Sequence, residues 1–344
     1  MKVLMIKLSS MGDILHTLAA VTELSKMQSI QIDWVVESAF AEIPAWHPAI
    51  SRVFTIDLRA WRKSRYRLAG LRVIWNQIRQ IRATRYDMII DAQGLFKSAL
   101  LSRLLHGKCI GFDAASAREG RLASFFYHQA FTVATNQHAV FRTKQLFAKA
   151  GSYLCSTEVD YGLARIKPSN TTPVFVFAIG ASWANKQWPD EHWRTLIESV
   201  VAKGAIVQLT AGNTTEMKRA MALSHNIERC QVIKPGPLTT IRVVIESADA
   251  LVASDTGLLH MAAALNCPAI GLYGPTMVQR SRPIGRHCQT LSSALACAPC
   301  MQRHCLIEPK PTTRWPQCLE GITPKAVLKA LEKIETGDTK YDRL

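Results

Sequence analysis

The sequence predicts an α/β protein with two doubly wound domains whose parallel sheets face each other across a cleft. Apolar, β-branched runs alternate with segments of helical period, which is the pattern of stacked βα units. The chain has 344 residues, which is long for one core and sufficient for two. A polar segment with two prolines, residues 167–173, predicts a linker. We therefore expect domains over residues 1–167 and 168–322, followed by a terminal segment, 323–344.

Short apolar runs bounded by turn-forming residues predict the strands of both domains. In chain order they are residues 3–8, 32–36, 88–91, 174–179, 205–210, 251–254 and 269–273. A helix is expected to begin near Asp13, because apolar residues recur after it at helical spacing. These residues are Ile14, Leu15, Leu18, Ala19 and Thr22.

The terminal segment predicts one more helix. Thr323 suits the N-cap, and Pro324 suits the first helical position. An apolar stripe follows, consisting of Val327, Leu328, Leu331 and Ile334. Because no strand comes after it, we expect this helix to pack across the domain junction.

Charge and composition limit the function classes. The chain carries 42 Lys and Arg residues against 26 Asp and Glu residues, and its formal net charge of +16 favours an anionic partner. The first eight residues are strand-like and lack the features of a signal peptide, and no apolar run reaches spanning length. We expect a cytoplasmic protein whose nine cysteines are reduced, and any membrane association would be peripheral.

Residues 251–260 predict a phosphate-binding site at a strand-to-helix junction. An apolar run ends at Asp255, and Thr256 and Gly257 precede an apolar helical segment that begins with Leu258. The first N–H groups of a helix lack intrahelical partners and attract anions. His260 lies one turn into the helix and can point back toward the same ligand.

The N-terminal junction supplies a second candidate, Asp13. It ends the loop that contains Ser10 and Gly12, at the carboxyl edge of the first predicted strand, where ligands of open α/β sheets bind. A carboxylate there can act as a general base. The alternative is that Asp13 only caps the following helix, and the two roles are compatible.

Three further loops contain donor-site candidates. Lys186 follows small residues that include Ser182 and is placed to stabilise a diphosphate leaving group, unless it is simply solvated. Glu216 can bind a ribose diol or complement a helix dipole. Gly236 lies in the rigid turn at residues 234–238, which can bound a base pocket or only turn the chain.

A basic segment from Arg59 to Arg85 contains no acidic residue. Its densest part includes Arg59, Arg62 and Lys63 beside aromatic residues, which suits phosphate and carboxylate groups at a membrane surface. A solvated helix face remains the alternative, whereas no nucleic-acid-binding motif accompanies the charge. Arg118, Arg121 and His138 are candidates for extending this basic surface.

Four cysteines near the C-terminus, Cys297, Cys300, Cys305 and Cys318, have the spacing C-x2-C-x4-C-x12-C. In a reduced compartment they can hold a structural zinc ion, with His304 as an alternative ligand. Buried or free thiols are the other interpretation. Neither interpretation gives these residues a part in catalysis.

Seven motifs together resemble the lipopolysaccharide heptosyltransferases, glycosyltransferase family 9, and within it the heptosyltransferase I branch. They are KLSSMGDILHTL at residues 7–18, DWVVE at 33–37, WRK at 61–63, DAQGL at 91–95, NKQWP at 185–189, DTG at 255–257 with His260, and YGPT at 273–276. The sequence departs from this branch at Ala181 and Ser182, where two threonines are usual, and in its cysteine-rich tail.

The resemblance implies a GT-B fold, and inverting transfer of L-glycero-D-manno-heptose from ADP-heptose to a Kdo residue of Kdo-lipid A, with no cofactor required. It implies that Asp13 is the catalytic base and that Lys186 contacts the donor diphosphate. Beside Lys186, it implies donor contacts for Glu216, Asp255, Thr256, Gly257 and His260. Ser182, Gly236 and Leu258, from the same loops and helix start, complete the donor-binding set that we expect. The resemblance also implies that Arg59, Arg62 and Lys63 contact the anionic acceptor. With the loop residues Ser10 and Gly12, and with Arg118 and His138, these form the acceptor-binding set that we expect. We also expect a monomer that contacts the cytoplasmic face of the inner membrane and binds no nucleic acid.

Other functions remain open at this point. A heptosyltransferase II-like enzyme, another nucleotide-sugar GT-B transferase or a nucleotide-sugar epimerase would use a similar donor site. A non-catalytic binder of acidic lipid or nucleic acid would account for the charge alone. A non-catalytic binder predicts that Asp13→Asn leaves all activity unchanged. An epimerase would not need the basic residues Arg59–Lys63, so charge reversal there would leave its turnover intact.

Overall fold

The computed structural model describes residues 1–58, 67–165, 171–305, 307 and 315–335. The chain divides into two units, Met1–Leu163 and Ala164–Leu344. This division lies a few residues before the boundary that we predicted after residue 167. Each unit contains one six-stranded sheet in which every pair of neighbouring strands is parallel.

The first unit has the strand order β3-β2-β1-β4-β5-β6. Its strands are β1 (Lys2–Ile6), β2 (Gln31–Val36), β3 (Ile50–Thr55), β4 (Met88–Asp91), β5 (Lys108–Phe112) and β6 (Gln129–Phe131). Its helices are α1 (Met11–Met27), α2 (Glu42–Ala45), α3 (Arg67–Arg82), α4 (Phe96–Arg103), α5 (Arg121–Ser124) and α6 (Ala139–Gly151).

The second unit repeats this topology, with the order β12-β11-β10-β7-β8-β9. Its strands are β7 (Val174–Ala178), β8 (Ile206–Thr210), β9 (Cys230–Ile233), β10 (Ala250–Ser254), β11 (Ala269–Tyr273) and β12 (Cys288–Ser292). Its helices are α7 (Asp190–Ala202), α8 (Thr214–Ser224), α9 (Leu238–Ser247), α10 (Gly257–Ala264), α11 (Val278–Ser281), α12 (Gln317–Glu320) and α13 (Pro324–Glu335).

The strand orders determine where ligands can bind. In each sheet the first and fourth strands of the unit lie side by side, and the strand order runs outward from them in opposite directions. These strands are β1 and β4 in the first unit and β7 and β10 in the second. A crevice forms at such a switch point, outside the carboxyl ends of the strands. The segments that follow three of these strands, β1, β7 and β10, contain most of the predicted site residues.

Helix α1 is buried more completely than its sequence suggests. Every residue from Ile14 to Leu24 is buried, and the helix packs against both α6 and α2. An amphipathic face packs on one neighbour, whereas a helix between two neighbours is apolar around most of its circumference. The start of α1 is thereby held firmly at the sheet edge.

The last described helix, α13, begins as predicted. The Ala326 backbone N–H donates to Thr323 Oγ1 at 3.3 Å, and Pro324 is the first residue of the helix. Within its own unit α13 packs on α7 and β11. Its packing across the domain junction stays a prediction. Among the helices of the described ranges, none is long and apolar enough to cross a membrane.

Candidate active site

The loop between β1 and α1 holds the Asp13 carboxylate at the carboxyl edge of the first sheet. Ser10 is the N-cap of α1, and its backbone N–H and Oγ donate to Asp13 Oδ2 at 3.0 and 2.9 Å. Asp13 is therefore the third residue of the helix and completes a capping box. The interpretation of Asp13 as the N-cap itself is wrong, and Gly12 occupies the turn between the two residues.

A buried lysine controls the charge of this carboxylate. Lys7 is 7% exposed, and its Nζ donates to the Ala92 carbonyl at 2.8 Å. Burial raises the pKa of Asp13, but the Lys7 charge and the Ser10 hydrogen bonds outweigh it, so the pKa lies below its ordinary value. Asp13 is therefore ionised at neutral pH, as a general base must be.

The end of β4 fixes the loop that carries Asp13. Gln93 Oε1 accepts hydrogen bonds from the backbone N–H groups of Leu8 and Ser9 at 3.0 and 3.2 Å. Asp91 in turn accepts from the Gln93 N–H at 2.8 Å and from the Tyr127 hydroxyl at 2.7 Å. The two strands at the switch point thus share one hydrogen-bonded network, which keeps Asp13 in place.

Two of the predicted acceptor residues lie near this edge. The Arg118 guanidinium is exposed and close enough to lower the pKa of Asp13. His138 is the N-cap of α6, and its ring packs edge-on against His16 of α1, with a centroid distance of 5.4 Å. Arg59, Arg62 and Lys63 lie outside the described residues. Their part in acceptor binding stays a prediction.

In the second unit, Lys186 forms a buried ion pair at the other switch point. Its Nζ donates to Asp255 Oδ2 at 2.7 Å and to the Asp255 carbonyl at 3.3 Å, and lies 4.5 Å from the centre of the Trp183 indole. His260 Nε2 lies 3.7 Å from Asp255 Oδ1. Burial raises the pKa of Asp255, but His260 and Lys186 lower it to about 2. The sequence motifs after β7 and β10 are thus brought into contact.

The helix that follows Asp255 has the predicted start. Thr256 is its N-cap, α10 begins at Gly257, and Leu258 lies in the first turn. Thr256 Oγ1 is buried and has no hydrogen-bond partner among the described residues. A buried hydroxyl in this state is available to an anionic ligand, as are the first N–H groups of the helix. Phosphate binding here stays a prediction that the geometry allows.

Glu216 closes the edge of the second sheet from α8. Its carboxylate accepts from the Gly212 N–H at 2.7 Å. It also lies over Gly180, where a β-carbon would come within 2.4 Å of the Glu216 Cδ. Gly180 is therefore required by the position of this side chain. The Glu216 carboxylate at the start of α8 fits the helix-dipole interpretation, and ribose binding stays a prediction.

The two remaining donor candidates lie in loops of the same unit. Ser182 is exposed in the segment after β7. Gly236 precedes α9, and no atom beyond its chain neighbours lies within 3.8 Å of its β-position, so a ligand could approach its backbone. Contact of Ser182 and Gly236 with the donor stays a prediction.

The four C-terminal cysteines line one small cavity of about 20 Å³, together with Asn185 and Pro275. Burial raises the pKa of Cys318 to about 11, whereas Cys297 and Cys305 are exposed. Across the part of the chain that the structure describes, no group of three or more His, Cys, Asp or Glu side chains is arranged to hold a metal ion. The free-thiol interpretation fits this geometry, and structural zinc stays a prediction.

Three residues that shape the first switch point were not predicted as site residues. They are Lys7, Asp91 and Gln93, which set the charge and position of Asp13. The sequence did contain a signal for two of them. Lys7 lies inside an apolar run, and Asp91 ends another, and a charged residue in a buried strand needs a partner.

A family model described as glycosyltransferase family 9 (heptosyltransferase) matches residues 74–310. The chain is 41% identical to lipopolysaccharide heptosyltransferase 1 of Pseudomonas aeruginosa, over 96% of this chain and 97% of that protein. It is also 41% identical to lipopolysaccharide heptosyltransferase 1 of Escherichia coli K12, over 80% of this chain and 88% of that protein.

Solved structures give the same result for the fold. The structure of E. coli heptosyltransferase WaaC with ADP-2-deoxy-2-fluoro heptose matches with a TM-score of 0.84 and 36% identity, over 97% of this chain and 99% of that one. E. coli heptosyltransferase II matches with a TM-score of 0.76 at 20% identity, over 98% and 99% of the two chains, and bears on the fold alone. The predicted fold class, α/β with two Rossmann-like GT-B units, is confirmed.

Proposed function

The chain belongs to glycosyltransferase family 9, the heptosyltransferases, and on this premise we propose its reaction. It transfers L-glycero-D-manno-heptose from ADP-heptose to a Kdo hydroxyl of Kdo-lipid A, with inversion at the anomeric carbon. The observation that carries the proposal is an ionised carboxylate at one switch point and a lysine beside a helix N-terminus at the other. An inverting transfer needs a base for the acceptor hydroxyl and a group that stabilises the charge of the leaving diphosphate.

In the proposed reaction, Asp13 acts on the acceptor. The Kdo hydroxyl oxygen attacks the anomeric carbon of the heptose while its proton passes to the Asp13 carboxylate. Ser10 donates two hydrogen bonds to Oδ2, and these fix the direction in which the carboxylate points. Lys7 keeps the carboxylate ionised between turnovers.

The second unit acts on the leaving group. The bond between the anomeric carbon and the phosphate oxygen breaks, and ADP leaves with the electron pair. Lys186, the Thr256 hydroxyl and the first N–H groups of α10 stabilise the resulting charge. Because these groups supply positive charge themselves, we propose that the transfer requires no metal cofactor. Ser182, Glu216, Gly236 and His260 are proposed to hold the rest of the donor.

The acceptor is proposed to approach the basic side of the first unit. Arg118 is placed near Asp13, and Arg59, Arg62 and Lys63 are its proposed partners in binding anionic groups of Kdo-lipid A. The protein is proposed to act as a monomer at the cytoplasmic face of the inner membrane. The net charge of +16 supports attraction to an anionic surface of this kind.

Mass spectrometry tests the proposal directly. Purified protein is incubated with ADP-heptose and Kdo-lipid A, and the lipid is examined for the mass of one added heptose. Kdo-lipid A that already carries a heptose serves as the parallel acceptor, because a heptosyltransferase II-like enzyme would prefer it. Transfer to neither acceptor would contradict the proposal.

A further inference from the structure

The first unit exposes a continuous apolar surface that the active site does not use. It consists of Phe96, Leu100 and Leu104 on α4 and at its end, and of Leu122 and Phe125 on and after α5; we call it the α4–α5 apolar face. Their exposed fractions are 43%, 38%, 36%, 66% and 84% in that order. Side chains of this size are costly to leave in water, and such a patch marks an interaction surface.

Contacts between the two helices show that these side chains form one surface. Phe96, Leu100 and Leu104 are four residues apart and therefore lie on one side of α4. The Phe96 ring packs edge-on against Phe126 at 5.5 Å, and Phe126 packs against Phe125 at 5.6 Å. The α4–α5 apolar face is thus joined across the gap between the helices by aromatic contacts.

The charges around this face are mainly basic. Arg103, Arg118 and Arg121 are exposed beside it, and Lys97 is half-buried on α4. The exposed acidic neighbour, Glu119, accepts a hydrogen bond from the Phe96 N–H at 2.6 Å. Aromatic and leucine side chains surrounded by arginines match the boundary between acyl chains and anionic headgroups of a bilayer.

The position of the face relates it to the chemistry. Helix α4 starts directly after the β4 loop that positions Asp13, and Arg118 of the neighbouring segment lowers the pKa of Asp13. Phe96, at the start of the α4–α5 apolar face, therefore lies at the edge of the first sheet that carries Asp13, and the face extends from there along α4. An acceptor anchored in lipid would reach Asp13 only if this edge lies at the membrane surface.

We propose that the α4–α5 apolar face inserts into an anionic bilayer and so brings Asp13 to the hydroxyl of a lipid-anchored acceptor. The role that we give to membrane binding rests on the proposed function, whereas the membrane binding itself does not. Insertion of Leu122 and Phe125 supplies apolar contact, and Arg121 supplies attraction to the headgroups. A polar headgroup alone would satisfy the arginines and leave Phe125 in water.

Vesicle sedimentation of the full chain tests this inference. The probes are vesicles of phosphatidylethanolamine with phosphatidylglycerol, compared with vesicles of phosphatidylcholine alone. We expect the wild-type chain to bind the anionic vesicles, and Leu122→Ser/Phe125→Ser to lower the partition coefficient about tenfold or more. Arg121→Glu should weaken binding only to the anionic vesicles. Equal binding of Leu122→Ser/Phe125→Ser and wild type would overturn the proposal.

Matched controls separate the face from general surface hydrophobicity. Leu154→Ser/Met221→Ser removes two apolar side chains that are 93% and 60% exposed elsewhere, and should leave vesicle binding unchanged. Sedimentation velocity without lipid tests whether a second copy of the chain covers this face instead. If the wild type self-associates and Leu122→Ser/Phe125→Ser is monomeric, the face joins two copies of the chain and the proposal is wrong.

An activity measurement distinguishes this inference from the proposed function. With an acceptor that lacks acyl chains, Leu122→Ser/Phe125→Ser should retain the wild-type kcat and KM. With Kdo-lipid A in anionic vesicles, it should lose about tenfold in activity at limiting protein, in proportion to its weaker binding. Vesicle binding without any heptose transfer would contradict the proposed function alone, and transfer with unchanged vesicle dependence would contradict the α4–α5 inference alone.

Discussion

Replacement of Asp255 by asparagine should destabilise the second unit, because it leaves the Lys186 ammonium without its counter-charge. The two groups are 2.7 Å apart, and each side chain is only 10% exposed. Neither can recover its hydration without a local opening of the structure. Asparagine keeps the size of the side chain, so the loss of stability measures the effect of the charge and not of the packing.

The pKa of Asp255 gives the size of the effect. Burial raises this pKa, but hydrogen bonding to His260 and the Lys186 charge lower it from 3.8 to about 2. At about 1.36 kcal/mol per pKa unit, the charged form contributes roughly 2.4 kcal/mol to stability at pH 7. The buried ammonium that remains adds to the loss, since breaking a buried pair costs about 3–5 kcal/mol in other proteins. We expect a loss of about 2–4 kcal/mol.

The assay is urea unfolding at pH 7, followed by the fluorescence of the buried Trp188 and Trp193. Because the folded-state pKa lies below the unfolded one, the stabilisation is present above about pH 4 and is lost as the pH falls through about 2. The difference between wild type and Asp255→Asn should therefore shrink to roughly half at pH 3. Equal unfolding midpoints at pH 7 would refute the reasoning.

A double variant controls for unrelated effects. Lys186→Met/Asp255→Asn removes both charges and should be less destabilised than the sum of the single variants, because neither charge is left alone. A coupling energy near zero would show that the two groups do not act as a pair. Lys186→Met alone should also weaken donor binding and turnover, which the stability measurement does not report.

Three further predictions concern the site. Asp13→Asn should lower kcat about 10²–10⁴-fold while ADP-heptose binding is retained, as measured by calorimetry, and unchanged turnover would exclude Asp13 as the base. Lys7→Met should move the acidic limb of the pH–rate profile to higher pH, because the Lys7 charge lowers the pKa of Asp13; an unmoved limb would separate Lys7 from the base. Gly180→Ala should displace Glu216 and raise KM for ADP-heptose, with Gly321→Ala as the control, because a β-carbon there would meet only ordinary contacts at 3.5 Å or more; an unchanged KM would remove Glu216 from the donor site.

Much of the fold could be predicted from continuous apolar runs in the sequence, which become strands buried on both faces. Residues 88–91 and 269–273 were assigned with the bounds observed for β4 and β11, because central strands of parallel sheets are continuous apolar runs. The buried strand β5 was missed, although it has the same apolar character. The edge strands β3, β6, β9 and β12 were also missed. They are only partly buried, so their sequences mix polar and apolar residues and lack that signal.

The site was predictable where one motif carries the chemistry, and not where distant segments meet. The loop with Asp13 and the start of α10 could be located from local sequence, since each is a strand-to-helix junction. The contact between Lys186 and Asp255 joins residues 69 positions apart and depends on the order of β7 and β10 in the sheet. Local periodicity contains no information on that order.

The structure also distinguishes the carboxylates of Asp13 and Asp255, whose sequence contexts are similar. Asp13 and Asp255 each follow a strand at a switch point, and each has a lysine as an electrostatic partner. Asp255 is buried, and its oxygens are engaged by Lys186 and His260, so it has neither access to a substrate proton nor affinity for one at a pKa of about 2.

Asp13 is half-buried, and the hydrogen bonds from Ser10 both end on Oδ2. A base must meet the hydroxyl that it deprotonates, and this requirement favours Asp13 over Asp255. Asp255 is better suited to hold Lys186 where the charge of a departing diphosphate develops.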